Sequence, residues 1–287
     1  MKILDCHIHL FAANVITNVA IKTQLVRKLK LQTEGAAARI DLETLKKDMA
    51  AGGVEGALML PTASVNRVKK TNRDCVKLAS GLNWLMTAGT LHPGYSHNEE
   101  ELAYLRQQGV RVIKLCSFSQ GFTLDAPQTL HLFDAIEAAN GNSDTPFSVI
   151  LDTLQGADGH FGTLPIYNTT PKLLGELAAR YPGINFIGAH MGGLDGSIED
   201  LCRYLIPRSN FFLDTSNAAH TLTEKEFLAL LEIHGPRHIL FGTDWPWFTH
   251  ESEVKHIDGL LDRAGFSEAE KSQVFSGNLL TLVGMRG

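Results

Sequence analysis

Two histidines one residue apart lie near the start of the chain, in the stretch DCHIHLF at residues 5–11. Side chains alternate between the two faces of an extended strand, so His7 and His9 are expected on one face. Asp5 is expected beside them, and Cys6 is expected on the opposite, apolar face. Imidazoles and carboxylates are the ligand types that suit zinc, manganese or iron. A strand with a solvated polar face is the alternative interpretation.

Eight short apolar or alternating segments recur along the chain, and amphipathic stretches separate them. We predict strands at residues 2–10, 54–60, 85–91, 110–115, 147–152, 184–190, 210–216 and 238–244. Eight strands that alternate with helices predict an α/β fold, a (β/α)8 TIM barrel that forms a single domain over residues 1–287. An open doubly wound sheet is the alternative, but FAANVITN stands where its glycine-rich phosphate loop would follow the first strand.

Capping residues mark two of the predicted helices. Asp41 is a suitable N-cap for the helix that follows it, and Gly52–Gly53 would end that helix. Thr170 is expected to cap a second helix, with Pro171 at its first position. Residues 11–40 do not fit the alternation of strands and helices, and we expect them to form a partial lid over the barrel mouth.

Further polar side chains lie at the predicted strand ends. In a barrel of this type, the carboxyl ends of all strands meet at one mouth. Lys114 lies in the fourth strand, Asp152 ends the fifth, His190 the sixth and Asp244 the eighth. Their convergence with the histidine pair of the first strand predicts a metal site.

The composition indicates a globular enzyme-sized chain without a nucleic-acid partner. Its 287 residues are 44% hydrophobic and 20% charged, the net charge is −5, and the basic residues are scattered. The chain has no run of about 18 apolar residues and no signal-peptide pattern, so we expect no membrane association and a cytoplasmic location. Four cysteines without a CxxC spacing argue against a disulfide framework.

Four motifs carry a family resemblance: DCHIHLF, INFIGAHMGG, LFGTDWPW and the terminal SGNLLTLVG. The chain resembles the amidohydrolase superfamily, in the branch that contains metal-dependent TIM-barrel hydrolases and aminocarboxymuconate-semialdehyde decarboxylase-like enzymes. The resemblance implies that His7, His9 and Asp244 ligate a divalent metal ion. It also implies that His190 is a further ligand or orients the metal-bound water, that the substrate is a small molecule, and that the protein is a homodimer.

The fifth strand departs from the family pattern. The segment VILDT presents Asp152 where relatives usually present a histidine ligand. A carboxylate can hold the same metals, so Asp152 is expected as a ligand, and an altered or weakened metal site is the alternative. The added negative charge would favour manganese, although zinc is otherwise the expected ion.

Two further residues are candidates for substrate contact. Lys114 is expected to pair with a substrate carboxylate or with Asp152, and a carboxylated lysine that bridges two metals is the alternative. Trp245 follows the metal aspartate directly and is expected to line the pocket, although core packing is an equally good role for it.

These residues predict a metal-dependent hydrolase that acts on a small, polar, carboxylated amide, ester or lactone. The ion would lower the pKa of its water from about 16 to about 7. Asp244 would accept the water proton, and His190 would stabilise or protonate the developing charge. Non-oxidative decarboxylation or hydration of an aromatic-derived acid is the second hypothesis, and a barrel that binds without catalysis is the third.

Overall fold

The structure is a computed structural model that describes residues 1–141, 143 and 146–285. Nine strand segments occur in that part of the chain. They are β1 (Leu4–Ile8), β2 (Gly56–Met59), β3 (Leu85–Thr87), β4 (Gly89–Thr90), β5 (Val112–Leu115), β6 (Ser148–Leu151), β7 (Asn185–Gly188), β8 (Phe211–Asp214) and β9 (Ile239–Leu240).

Helices follow the strands and surround them. The α-helices of the described residues are α1 (Ala13–Ala20), α2 (Thr23–Lys28), α3 (Leu42–Ala51), α4 (Val68–Ala79), α5 (Asn98–Gln107), α6 (Ser117–Gln120), α7 (Pro127–Asn140), α8 (Ala157–Phe161), α9 (Pro171–Arg180), α10 (Ile198–Tyr204), α11 (Ala218–Thr221), α12 (Glu224–His234), α13 (His250–Arg263), α14 (Glu268–Ser272) and α15 (Asn278–Leu282). Within residues 1–141 and 146–285, no helix combines the length and the hydropathy that crossing a membrane requires.

The strands are all parallel and follow the order of the chain. Backbone pairing joins β1, β2 and β3 in one sheet and β4 through β9 in another. The predicted strand 85–91 is split at Ala88 into β3 and β4. The N–H of Ala88 donates to the Met59 carbonyl oxygen at 2.8 Å, and β4 pairs with β5. The nine segments therefore occupy the eight strand positions that the sequence predicts.

The first and last strand positions join and close the barrel. The N–H of Asp244 donates to the His7 carbonyl oxygen at 3.0 Å, and the N–H of His9 donates to the Trp245 carbonyl oxygen at 2.8 Å. This seam, at residues 6–9 and 241–245, turns the sheet into the predicted (β/α)8 TIM barrel and so confirms the fold class. It also brings the histidine pair beside the aspartate of the last strand position.

An apolar cluster fills the barrel interior below the mouth, where the mouth means the open end at the carboxyl ends of the strands. Its buried members come from successive strand positions and from α15: Leu4, Cys6, Leu58, Leu60, Ala88, Val112, Ile150, Ile187, Ala189, Leu240, Leu279, Leu280 and Leu282. Cys6 is therefore a buried apolar side chain, as predicted. Burial of such side chains stabilises the barrel by about 25 cal/mol for each Å² removed from water.

A β-bulge in the first strand corrects the predicted arrangement of DCHIHLF. Leu4 and Asp5 pair in register with β2, but the pairing slips before Ile8, so β1 carries one more residue than its partner there. The bulge breaks simple alternation. Asp5 accordingly faces the α13 side of the barrel wall, where its carboxylate lies 3.1 Å from His250 Nε2, and it is not beside the two imidazoles.

Residues 11–40 lie across the mouth as α1, α2 and a short 3₁₀ helix. Their apolar side chains join a third cluster with residues from the loops after β6, β7 and β9: Ile16, Leu25, Leu29, Leu31, Ala36, Leu154, Ala157, Leu194, Trp247 and Phe248. Lys22 Nζ donates to the His160 carbonyl oxygen at 2.8 Å, and Arg39 Nε donates to the Pro246 carbonyl oxygen at 2.9 Å. The middle and the C-terminal end of the segment are therefore held to the mouth loops.

Helix packing around the barrel leads to a stability prediction at Gly175 in α9. A Cβ at this position would overlap the carbonyl oxygen of Tyr204 at the end of α10. We expect Gly175→Ala to lower the free energy of unfolding by about 1–3 kcal/mol, because relief of the overlap must move α10. Chemical denaturation measures this change.

Gly259 in α13 is the matched control for this substitution. An added Cβ there meets only the flexible guanidinium of Arg263, at 3.4 Å. Gly259→Ala should therefore be neutral or raise stability by about 1 kcal/mol, which is the difference in helix propensity between the two residues. Equal effects of the two substitutions would contradict the close approach of α9 and α10.

Candidate metal centre

Three predicted ligands lie together at the seam. His7 Nε2 and His9 Nε2 are 3.1 Å apart, and Asp244 Oδ1 lies 3.8 Å from the first and 3.6 Å from the second. Donors bound at about 2.0–2.2 Å to one tetrahedral ion are about 3.3 Å apart. The spacing of these three atoms therefore fits a single transition-metal ion.

Hydrogen bonds at the other ring nitrogens determine the tautomers of the two histidines. His7 Nδ1 lies 2.9 Å from Asp214 Oδ2, and His9 Nδ1 lies 3.2 Å from the Leu60 carbonyl oxygen. Both partners accept, so each Nδ1 carries the proton and each Nε2 presents a lone pair. Two lone pairs facing each other at 3.1 Å repel unless a cation lies between them, which is the arrangement of metal-bound histidines.

Asp214 holds the imidazoles from behind and is a functional residue that the sequence analysis did not select. His7, His190 and Asp214 form a second group of close donors. However, Asp214 Oδ2 accepts from His7, and Oδ1 accepts from the N–H groups of His190 and Ser216 at 2.9 and 3.1 Å. Burial opposes ionisation, but the adjacent His7 side chain, which donates a hydrogen bond to the carboxylate, holds the pKa of Asp214 well below its usual range. Its oxygens are engaged, so Asp214 positions ligands.

His190 lies on the neighbouring wall of the mouth. Its ring centroid is 4.9 Å from that of His7, and its Nδ1 lies 2.9 Å from the Ser216 carbonyl oxygen. Its Nε2 therefore faces the cavity, 3.9 Å from Asp152 Oδ2. Burial favours the neutral ring, but the neighbouring carboxylates of Asp152 and Asp244 outweigh it and raise the pKa of His190 to about 9.

Asp152 and Lys114 form a buried ion pair beside this group. Lys114 Nζ lies 3.4 Å from Asp152 Oδ2, and the lysine side chain is 1% exposed. Burial favours the neutral acid, but the charges of Lys114 and His190 hold the pKa of Asp152 well below its usual range. Among the described residues, the close group at the seam contains His7, His9 and Asp244 and does not include Asp152. The structure thus brings three of the five predicted ligands together.

Burial shifts the pKa values of two of the three close donors. It lowers the pKa of His9 well below its usual value, with a further contribution from His7 and Lys114, so the ring is neutral. Burial also raises the pKa of the Asp244 carboxyl, although His190 and His7 oppose the shift. A cation at the seam would favour the neutral imidazole and the ionised carboxylate, the two forms that ligate metals.

A second polar layer supports the seam from the α13 side. Asp5 accepts from the backbone N–H of His7 at 2.8 Å and from that of Thr243 at 3.1 Å. His250 lies between Asp5 and Asp48, with Nδ1 at 2.6 Å from Asp48 Oδ2. Burial opposes the charge, but these two carboxylates raise the pKa of His250 to about 9. Asp5 therefore joins the backbones of the two chain segments that form the seam.

A cavity of about 200 Å³ opens above the donor group, which means His7, His9 and Asp244. Its polar wall includes Lys114, Asp152 and His190, whereas much of the remaining wall is apolar: Phe11, Val15, Val19, Leu25, Leu29, Leu31, Phe118, Leu154, Phe161, Leu194 and Trp247. Trp245 is fully buried in the main core, so the predicted contact of this side chain with substrate is wrong. Trp247, in the bend that follows, lines the cavity instead.

Asn217 is a further wall residue that the sequence analysis did not select. It is fully buried, and neither its amide nitrogen nor its amide oxygen has a hydrogen-bond partner in the structure. Its backbone is left-handed, with φ of 56°. An unpaired buried amide costs about 1–3 kcal/mol, so a ligand that satisfies it gains that amount. The sequence offered one signal for Asn217: it is a polar residue that directly follows the predicted strand 210–216.

Comparisons with known proteins agree with this architecture. An uncharacterized TIM-barrel protein from Bordetella bronchiseptica is 18% identical, with a TM-score of 0.75 and coverage of 99% of each chain. A 5-carboxyvanillate decarboxylase from Novosphingobium aromaticivorans with bound manganese is 15% identical, with a TM-score of 0.73 and coverage of 99% of this chain and 97% of that one. No curated protein shows significant sequence similarity to the chain.

A hydrolase has a similar fold as well. A proposed 2-pyrone-4,6-dicarboxylic acid hydrolase from Pseudomonas putida is 16% identical, with a TM-score of 0.64 and coverage of 99% of this chain and 97% of that one. At these identities the solved structures show the fold alone. The family model described as amidohydrolase matches residues 4–284, which include every residue of the seam. The chain therefore belongs to the amidohydrolase family.

Proposed function

We propose that the protein is a divalent-metal-dependent enzyme that removes the carboxyl group from a small aromatic acid without oxidation. The observation that carries the proposal is the cavity, which joins the donor group and one buried lysine to a wall that is otherwise largely apolar. A planar apolar body with a single anionic group is complementary to such a surface. The decarboxylase name of the manganese-containing structure is in keeping with this class of reaction.

His7, His9 and Asp244 would hold the ion. Two imidazoles and one carboxylate form a donor set that suits zinc, and the bound manganese of a structure with the same fold makes manganese the alternative. A divalent ion bound there would polarise an oxygen of the substrate and stabilise the negative charge that develops as the carbon–carbon bond breaks. These donor atoms thus fit the divalent metal that the family implies.

The remaining polar side chains of the cavity would bind the substrate and supply a proton. Lys114 presents the buried positive charge that would bind the anionic group of the substrate, and Asn217 offers an unpaired amide on the same cavity wall. Loss of carbon dioxide leaves an electron pair on carbon, which must take up a proton. His190 Nε2 faces the cavity and is in position to deliver that proton. The apolar lid would exclude water from the reacting carbon.

Hydrolysis of an ester or lactone is the second candidate. The same three donors would serve it, with Asp244 as proton acceptor, and a proposed hydrolase has a similar fold. The apolar wall is less complementary to a polar substrate than to an aromatic one. The two candidates differ in their product, which provides the direct test.

Removal of metal should abolish turnover under either candidate. Dialysis against a chelator should lower activity by at least about 100-fold, because charge stabilisation by the ion is worth several kcal/mol. Separate addition of zinc and manganese should restore it, and the ion that restores more activity identifies the working metal. Full turnover by metal-free protein would contradict the proposal.

Product analysis separates the two reactions. Metal-loaded protein offered a panel of hydroxybenzoate-like acids should release carbon dioxide, and ring-substituted acids should be better substrates than aliphatic ones because the wall is apolar. Ester and lactone opening is monitored in parallel by proton release. Lactone or ester opening without carbon dioxide release would reject decarboxylation and favour the second candidate.

Substitution of Lys114 should weaken substrate binding. Lys114→Gln keeps a hydrogen-bonding group near Asp152 but removes the charge, and we expect kcat/KM to fall by about 10- to 100-fold, mainly through KM. Lys271→Gln is the matched control. Lys271 is also a buried lysine, but it pairs with Asp258 outside the barrel, so its loss should leave KM unchanged. Equal KM values for Lys114→Gln and the wild type would exclude the assigned role.

A further inference from the structure

A further group of metal-type donors lies outside the barrel, between α11 and α13. His220, Glu253 and His256 each offer a donor atom, and these atoms all lie within 4.8 Å of one another. His220 belongs to α11, and the other two residues lie three positions apart on α13, so they share one face of that helix. Neither helix contributes a ligand to the seam.

We propose that these three residues form a second cation site with a preference for zinc. Two imidazoles and one glutamate are a protein ligand set used by zinc, with the fourth position left to water. His220 Nε2 lies 2.9 and 3.0 Å from the two carboxylate oxygens of Glu253, close to the separation of about 3.3 Å between donors on one tetrahedral ion. Small movements of these side chains therefore suffice to admit the ion.

Burial of Glu253 gives the group its affinity for a cation. The residue is fully buried, so its negative charge must be compensated within the protein. His220 and the hydroxyl of Ser252, at 3.2 Å, hydrogen-bond to it. His256 adds a second imidazole, which a simple ion pair does not need but a metal site does. Burial lowers the pKa of His256, so its nitrogen lone pair is available at neutral pH.

The group is preorganised and open to solvent. The His220 ring stacks on Phe248 with centroids 4.1 Å apart and planes 3° apart, which fixes the orientation of the imidazole. His220 and His256 are both half-buried, so an ion can enter from solvent. In the absence of metal the hydrogen bonds between His220 Nε2 and the Glu253 carboxylate hold the pair together, and zinc would take their place.

A cation bound at the second site would connect α11 and α13, two helices that support the mouth. The helix α11 begins directly after Asn217 on the cavity wall, and α13 begins at His250, which supports Asp5. An ion shared by α11 and α13 would hold these two helix starts at a constant separation. The site would thus stabilise the mouth without taking part in the reaction.

Zinc stoichiometry tests the second site independently of the reaction. Metal-stripped protein is dialysed against buffered free zinc, and bound zinc is counted by elemental analysis. The wild type should bind about two equivalents, and the double variant His9→Ala, Asp244→Asn should keep about one. Adding His256→Ala to that double variant should remove the remaining equivalent. His256→Gln is the second variant, in case alanine lowers the melting temperature.

His97 provides the matched control. His97 is the N-cap residue of α5, and its Nδ1 lies 2.9 Å from Oε1 of Glu100 in the first turn. Among the described residues, this pair belongs to no group of three metal-type donors. His97→Ala should leave the zinc count unchanged. The proposal is overturned if the double variant binds no zinc, or if its zinc survives both His256→Ala and Glu253→Gln. Neither result bears on whether the seam ion supports decarboxylation.

Discussion

The structure depends on the seam between the first and last strand positions. Backbone hydrogen bonds there close the barrel, and the same bonds set two imidazole lone pairs 3.1 Å apart beside a carboxylate. Without a cation this arrangement is repulsive, and the surrounding acceptors prevent either histidine from relieving it by a change of tautomer. The contacts that close the barrel therefore also assemble the candidate metal site.

Backbone strain gathers at the same end of the barrel. His190, Asn217 and Asp244 each have a left-handed backbone, with φ of 56°, 56° and 62°. Such a conformation costs about 1 kcal/mol or more for a non-glycine residue and persists where the surrounding structure imposes it. Each of these residues follows a strand of the barrel, and each presents its side chain to the mouth. The strain is located where the site needs side chains to leave the regular strand geometry.

The mouth separates a polar floor from an apolar cover. Asp214, Asp5 and the backbone carbonyls hold the histidines from behind, so the reactive nitrogens point into a cavity whose upper wall is built from α1, α2 and aromatic side chains. The apolar cover lowers the local dielectric constant and so strengthens the electrostatic attraction between Lys114 and Asp152. This division of polar and apolar surface, more than any single residue, is the feature that supports the proposal of an aromatic acid as the substrate.

The sequence by itself determined the barrel, the family and the residues of the seam. Strand periodicity and the motifs at residues 5–11 and 240–247 were sufficient, because they are local patterns that the fold places at the ends of strands. Only the tertiary structure decided that a bulge turns Asp5 away from His7, that Trp245 enters the core, and that Asp152 pairs with Lys114 outside the close donor group. It also brought Asp214 and Asn217 to the mouth. These outcomes depend on register slips and on packing between distant segments, which a periodicity of two cannot encode.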